Sequence, residues 1–263
     1  MKAFLKSGGL WKKRLFWLMF TIVMVVFFEP VSPAGAAIYL GETRIIVNSR
    51  EKEATLRVSN DSDAPVLLQV WVDTGDREAI PGDISVPFTI TQPILRLDGK
   101  RSQRLRIIFT GEESQLAGDR ESVFWLNVLE IPPKPRADPE KNRIQMVFRS
   151  RIKLFYRPET LRENTNIPRH QQLRFKIIVQ NKVPVLQISN PTPFYQTLLE
   201  LAVGQDRQRP QLSVLPDDGM VAPYQQLQLP VSQAGRDITR GMRVFYSLID
   251  DFGNVLTGEQ TLL

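Results

Sequence analysis

His170 is the only histidine in the chain and cysteine is absent, so the side chains that most often do chemistry are nearly missing. Without cysteine there is no thiol nucleophile and no thiolate metal site. A Ser-His-Asp arrangement would have to use His170. That residue sits in NIPRHQQ with no second histidine at metal-binding spacing, and it reads as an exposed, idle side chain in a linker. A two-carboxylate glycosidase depends on three-dimensional placement, but Asp250-Asp251 and Glu112-Glu113 read more simply as solvated loop charges. No glycine-rich phosphate loop follows any strand. The expectation is a protein that is not an enzyme, with no cofactor and no metal.

The element that stands out is Asn142 to Arg157, NRIQMVFRSRIKLFYR, in which Ile144, Met146, Phe148, Ile152, Leu154 and Tyr156 occupy alternate positions. A period of two puts these on one face of a strand and Arg143, Gln145, Arg149, Arg151 and Lys153 on the other. Sixteen residues would extend about 50 Å at about 3.3 Å per residue, well beyond an ordinary strand of about five or six residues. Such a strand overruns its own sheet. Its backbone edge and apolar side chains are then suited to completing another protein's open sheet. Core strands alternate too, so burial of Ile144, Met146 and Phe148 in their own domain stays open at this point.

The first 36 residues read separately. Lys2, Lys6, Lys12, Lys13 and Arg14 precede an apolar run of fourteen residues, Leu15 to Phe28, and Ala34-Gly35-Ala36 supplies a small-x-small cleavage pattern. The run fits a signal-peptide core of about 7 to 15 residues and is shorter than the 18 or more of a membrane span. Residues 1–36 are therefore expected to be a signal peptide, the mature chain to start at Ala37, and no stable membrane insertion to remain after cleavage. The leader's five basic residues against Glu29 give it +4, which leaves +2 of the chain's +6 for the mature protein. Overall basicity then no longer points to nucleic acid; what remains is local, in RLRI from Arg104 and RSRIK from Arg149. An exported chain meets a compartment that permits disulfides, but here stability has to come from apolar cores.

From Ile38 to Arg157 short alternating segments recur between turn signals, as in a β-sandwich. Ala54, Leu56 and Val58 form one; Val66, Leu68, Val70 and Val72 another; Leu105, Ile107 and Phe109 a third; Val123, Trp125, Asn127 and Leu129 continue it. The loop PPKPRADPEKN is marked by prolines that cannot donate to a ladder. After Pro158 the polar ETLRENTN reads as a linker, and alternation resumes at Leu173, Phe175, Ile177 and Val179, then VLQIS, TLLELAV and MRVFYSLI. The chain is expected to be all-β, with a first sandwich in residues 37–160 and a second, smaller one in 161–263.

Leu116 to Pro132, LAGDRESVFWLNVLEIP, resembles the signature of the periplasmic pilus-assembly chaperones of the chaperone–usher pathway. IKLFYRP from Ile152, NPTPFY from Asn190 and GETRIIV from Gly41 resemble that family as well, in the same order along the mature chain. The resemblance implies two immunoglobulin-like β-sandwich domains in a boomerang arrangement and a periplasmic location in a Gram-negative bacterium. The partners it implies are pilus (fimbrial) subunits and an outer-membrane usher. Arg44 and Lys153 match the family's anchors for the subunit's C-terminal carboxylate. Ile144, Met146 and Phe148 match the side chains donated to the subunit's groove, and Glu121, Arg157 and Asp251 match a charged cluster linking the domains.

The anchor chemistry is sound in itself: Arg offers a planar pair of donors and Lys a compact charge. The exposed strand also leaves the free protein open to self-association. Two features depart from the family: the second domain has no disulfide, and Gln92-Pro93 stands where two prolines are commoner. The short loop PPKPRADPEKN resembles the branch serving rod-like pili. The rival readings are an immunoglobulin-like secreted adhesin or carbohydrate-binding module, with Ile144, Met146 and Phe148 in its own core, and a secreted hydrolase with a carboxylate- or His170-lined pocket.

Overall fold

The computed structural model describes residue 17 and residues 38–134, 145–161, 167–181, 183–214, 219–231, 238 and 241–263. Met1–Ala36 and Ala37–Leu263 are two separate units. The signal-peptide reading therefore falls, Trp17 apart, outside the described residues, as do Ile144, most of the PPKPRADPEKN loop and residues 162–166 of the linker. Among the described residues no helix is long and apolar enough to cross a membrane.

The alternating segments form strands that bury one face each. β1 (Ile38–Leu40), β3 (Glu53–Asn60), β7 (Ser102–Phe109) and β5 (Phe88–Ile90) make one sheet in the order β1-β3-β7-β5. The facing sheet runs β2-β9-β8-β4-β6, from β2 (Arg44–Asn48), β9 (Phe148–Arg157), β8 (Ser122–Ile131), β4 (Val66–Asp73) and β6 (Ile94–Leu97). Between them Leu56, Val58, Leu68, Leu105, Ile107, Leu126, Leu154 and Tyr156 share one core. Consecutive segments β1 and β2 pair in different sheets, antiparallel to β3 and parallel to β9 respectively, so the start of the chain crosses from one layer to the other.

A second sandwich has its own core of Leu173, Phe175, Leu186, Ile188, Leu201, Val203, Val244 and Tyr246. Its three-stranded sheet is β10 (Arg174–Gln180), β11 (Val183–Ser189) and β15 (Gln226–Pro230). The other sheet runs β13-β12-β16-β17 from β13 (Leu212–Val214), β12 (Gln196–Gly204), β16 (Arg243–Ile249) and β17 (Val255–Thr261), with β14 (Met220–Val221) also on β12. The two sandwiches share one device for closing a turn. Asn60 donates to the carbonyls of Ala64 and Leu97 and accepts from the backbone and hydroxyl of Ser62. Asn190 donates to the carbonyls of Phe194, Val221 and Ala222 and accepts from the backbone and hydroxyl of Thr192. Each asparagine is buried, and each satisfies carbonyls that the turn would otherwise strand away from water.

Two expectations are corrected. The sixteen-residue strand is ten residues long, Phe148–Arg157, because β8 pairs with it only as far as Phe148↔Glu130 and then runs into Pro132 and Pro133. The segment with Val123, Trp125, Asn127 and Leu129 is strand β8 as expected, and its core-facing residues are Phe124, Leu126 and Val128. Both faces of this central strand are covered and carry apolar residues, so alternation could not say which one faced the core. His170 is half-buried rather than exposed: it lies in a 3-10 turn, Arg169–Gln171, whose His170 carbonyl accepts the Tyr246 hydroxyl at 2.9 Å. Burial pushes the imidazole pKa down.

Candidate functional site

β9 is paired with β8 from Phe148 to Tyr156, but on its other edge β2 covers it only from Lys153 onward, Arg44↔Lys153 to Asn48↔Arg157. Among the described residues no strand covers that edge from Phe148 to Ile152. The chain just before it is open as well. Met146 is 62% and Phe148 51% exposed, and Val147 between them is 51% exposed. The inward side chains change character along the strand: Ile152 packs against the core and Leu154 and Tyr156 are within it, while Met146 and Phe148 stand clear of it. The cause is position rather than residue type, since the core ends where β8 does.

The open edge ends at two cations. Arg44 is the first residue of β2 and Lys153 its register partner, so both side chains start from one point on the sheet. Each reaches the second sandwich: Arg44 Nη1 donates to the Ile249 carbonyl at 3.1 Å, and Lys153 Nζ donates to Thr197 Oγ1 at 3.3 Å. Arg44 is only 7% exposed and its Nε is buried without a hydrogen-bond partner. Burial pushes its pKa down, against the pull of the Asp251, Asp250 and Glu121 carboxylates.

Glu121, Arg157 and Asp251 come together between the sandwiches. Arg157 Nε donates to Glu121 Oε1 at 2.7 Å and its Nη1 to Asp251 Oδ2 at 2.8 Å. The other Glu121 oxygen accepts the backbone N–H of Tyr195 at 2.8 Å, and the Glu121 N–H donates to the Pro193 carbonyl at 2.9 Å. Burial pushes the Glu121 carboxyl up, countered by Arg157 and the Tyr195 N–H. Burial would also raise Asp251, but hydrogen bonds and charge from Arg157 and Arg169 outweigh it and hold Asp251 below the ordinary range.

Sequence reasoning missed Arg169. Its Nη1 donates to Asp251 Oδ1 at 2.9 Å, so Asp251 bridges two arginines, and both guanidiniums lie over the Phe194 ring, Arg169 at 3.9 Å and Arg157 at 5.1 Å. Nothing in NIPRHQQ signals this, because the residue lies in a short turn without periodicity. Phe155 was missed for a related reason. It sits on the strand face read as polar, yet it is buried, its ring 5.5 Å from that of Tyr195 across the junction.

A cavity of about 240 Å³ lined by His170, Asp250, Asp251, Tyr195 and Phe252 lies beside the cluster. It has the residue types the hydrolase reading asks for, but both carboxylates are engaged. Asp251 is held by the two arginines, and Asp250 accepts the backbone N–H groups of Phe252 and Asn254 and the Asn254 side chain. Neither is left in the poised, raised-pKa state a general acid needs.

The chain thus folds as two immunoglobulin-like sandwiches, with a strand edge running up to a pair of cations at their junction. Family models for the pili and flagellar-assembly chaperone PapD N-terminal domain and the pili assembly chaperone PapD C-terminal domain match residues 37–162 and 168–260. The chain belongs to this family of pilus-assembly chaperones. The chaperone protein FimB/FhaD of Bordetella pertussis is 38% identical over 247 residues, covering 93% of this chain and 95% of the relative. The crystal structure of the Pseudomonas aeruginosa CupB2 chaperone superposes with a TM-score of 0.68 at 33% identity, covering 86% of this chain and 100% of that one. The SafB chaperone of Salmonella enterica, solved in complex with the SafA pilin, has a TM-score of 0.68 at 26% identity, covering 88% of this chain and 99% of that one.

Proposed function

We propose that this chain is a periplasmic chaperone that captures fimbrial subunits by lending them a strand and then delivers them to an outer-membrane usher. The observation that carries the reading is the uncovered edge of β9, flanked by exposed Met146 and Phe148 and closed off by Arg44 and Lys153. An incoming strand on that edge lies in line with β2 and, like β2, parallel to β9. Its C-terminus then meets the start of β2, where the Arg44 guanidinium and the Lys153 ammonium anchor its carboxylate. Ile144, Met146 and Phe148 fill the subunit's open groove, each contributing about 1.5 to 3 kcal/mol on full burial. SafB, a relative of this fold, was solved bound to a pilin.

The work is not enzymatic and needs no ATP. Release comes by exchange, when the next subunit's own extension replaces β9 in the groove. The Glu121–Arg157–Asp251 cluster fixes the angle between a first domain of residues 37–160 and a second of 161–263. Buried, networked charges can set geometry even when their net stabilisation is small. The test is co-expression with a cognate fimbrial subunit: Arg44→Ala and Lys153→Ala each abolish recovery of the soluble complex while the variants stay folded. Full recovery with both variants would reject the anchor assignment.

A further inference from the structure

Three cations, Arg149, Arg151 and Lys153, follow one another at alternate positions on one face of β9. A carboxylate could in principle be taken at Arg151 instead of Lys153. That error would displace a captured strand by two residues, about 7 Å, and keep the same side chains facing the groove. Alternation offers no protection against such a slip.

Arg151 is occupied. Its Nη2 and Nε donate to Asp73 Oδ1 and Oδ2 at 2.6 and 3.2 Å, and its guanidinium lies 4.7 Å from the centre of the Trp125 ring. Asp73 is itself fixed at the end of β4: Oδ2 also accepts from Asn127 Nδ2 at 2.7 Å and Oδ1 from the Gly75 N–H at 2.7 Å. Both Asp73 and Asn127 are buried. Gly75, at φ +123°, closes this turn against Trp125, where a Cβ would come within 3.2 Å of the ring. Burial raises the Asp73 carboxyl, but the bonds from Arg151, Asn127 and Gly75 outweigh it and keep it ionised. Arg149 is turned away, its Nη1 donating to the Arg77 carbonyl at 2.8 Å.

We propose that Asp73 is a register-setting residue: by holding Arg151 in a bidentate ion pair it withdraws that cation from the captured subunit's carboxylate. The inference rests on the strand-lending reading above and adds to it a positioning residue that touches no subunit. A subunit shortened by two C-terminal residues, its strand kept in the same pockets, would end beside Arg151. The native chaperone cannot anchor it there.

The experiment co-expresses the chaperone with the native-length subunit and with the same subunit lacking its last two residues. The native chaperone recovers only the former. Asp73→Asn frees Arg151 and raises recovery of the shortened subunit by about tenfold or more, the effect of one new charge-assisted hydrogen bond. Adding Arg151→Gln removes the gain. If Asp73→Asn does not fold, Asp73→Ser replaces it with the same expected outcome. A folded variant that captures the native-length subunit and gains nothing with the shortened one overturns the proposal, as does recovery of the shortened subunit by the native chaperone. Failure of the anchor reading would show separately, as retained native-length complex in Arg44→Ala and Lys153→Ala.

Discussion

Arg44 and Lys153 are register partners on parallel strands, and each donates a hydrogen bond to the second sandwich, to the Ile249 carbonyl and to Thr197. The two cations are thus tied to both halves of Ala37–Leu263, and the Arg44 Nε is buried without a hydrogen-bond partner. Arg44→Lys keeps the charge but cannot serve the Ile249 carbonyl and a ligand carboxylate in one plane. It should weaken binding of a peptide carrying the subunit's C-terminus by about 1.5 to 3 kcal/mol, measured by calorimetric titration.

Met146 and Phe148 are more than half exposed, whereas Leu154 further along β9 is fully buried. Met146→Glu and Phe148→Glu should each reduce subunit capture and leave the melting temperature of the free chaperone within error. Leu154→Ala should instead cost about 2 to 5 kcal/mol in chemical denaturation. Loss of fold in Met146→Glu would return that side chain to the chaperone's own core.

Asp251 bridges Arg157 and Arg169 at the junction. Arg157→Gln leaves Glu121 and Asp251 with one cationic partner fewer in a buried setting and should destabilise the chain by about 3 to 5 kcal/mol. Arg169→Gln should loosen the junction as well, seen as a broader distribution of inter-domain distances by paired spin labels. An unchanged distribution in both variants would mean that the cluster does not set the angle.

The pH dependence of that junction has a defined sign. Asp251 is held below the ordinary range, so its contribution is present above the ordinary aspartate pKa and is lost as pH falls through its own depressed value. Glu121, pushed up by burial, acts the other way, and its ionisation costs stability as pH rises through its raised value. Asp251→Asn should therefore flatten the loss of stability on acidification, measured by denaturant titrations at successive pH values. An unchanged acid limb would remove Asp251 from the account.

Asn60 and Asn190 close equivalent turns in the two sandwiches, and each bonds at least two carbonyls. Alanine at either position strands those buried acceptors and should cost about 1 to 3 kcal/mol or more. The two losses should add, since the asparagines belong to separate cores.

The β-sandwich architecture was legible in the sequence because period-two alternation reports directly which residues a half-buried strand turns inward. On β8 it showed the strand but not its inward face, because Trp125 and Asn127 are covered from the outer side by Arg151 and Asp73, and a strand buried on both faces carries no phase. It also overstated β9: alternation continues through Met146, but pairing stops where β8 ends. The position of Arg169 could not be read, because an isolated arginine in a short turn leaves no pattern.

What the residue order determined by itself is therefore local: strand content, the turns, the absence of thiol chemistry, and a ribbon of apolar side chains longer than its sheet. The tertiary structure alone decided which edge of that ribbon is uncovered, where the cover begins at Arg44, and which cations are already spent on Asp73, Glu121 and Asp251. The physical reason is that exposure and charge neutralisation depend on groups far apart in the chain, such as Asp73 and Arg151 or Arg157 and Asp251. A one-dimensional period carries no information about such distances.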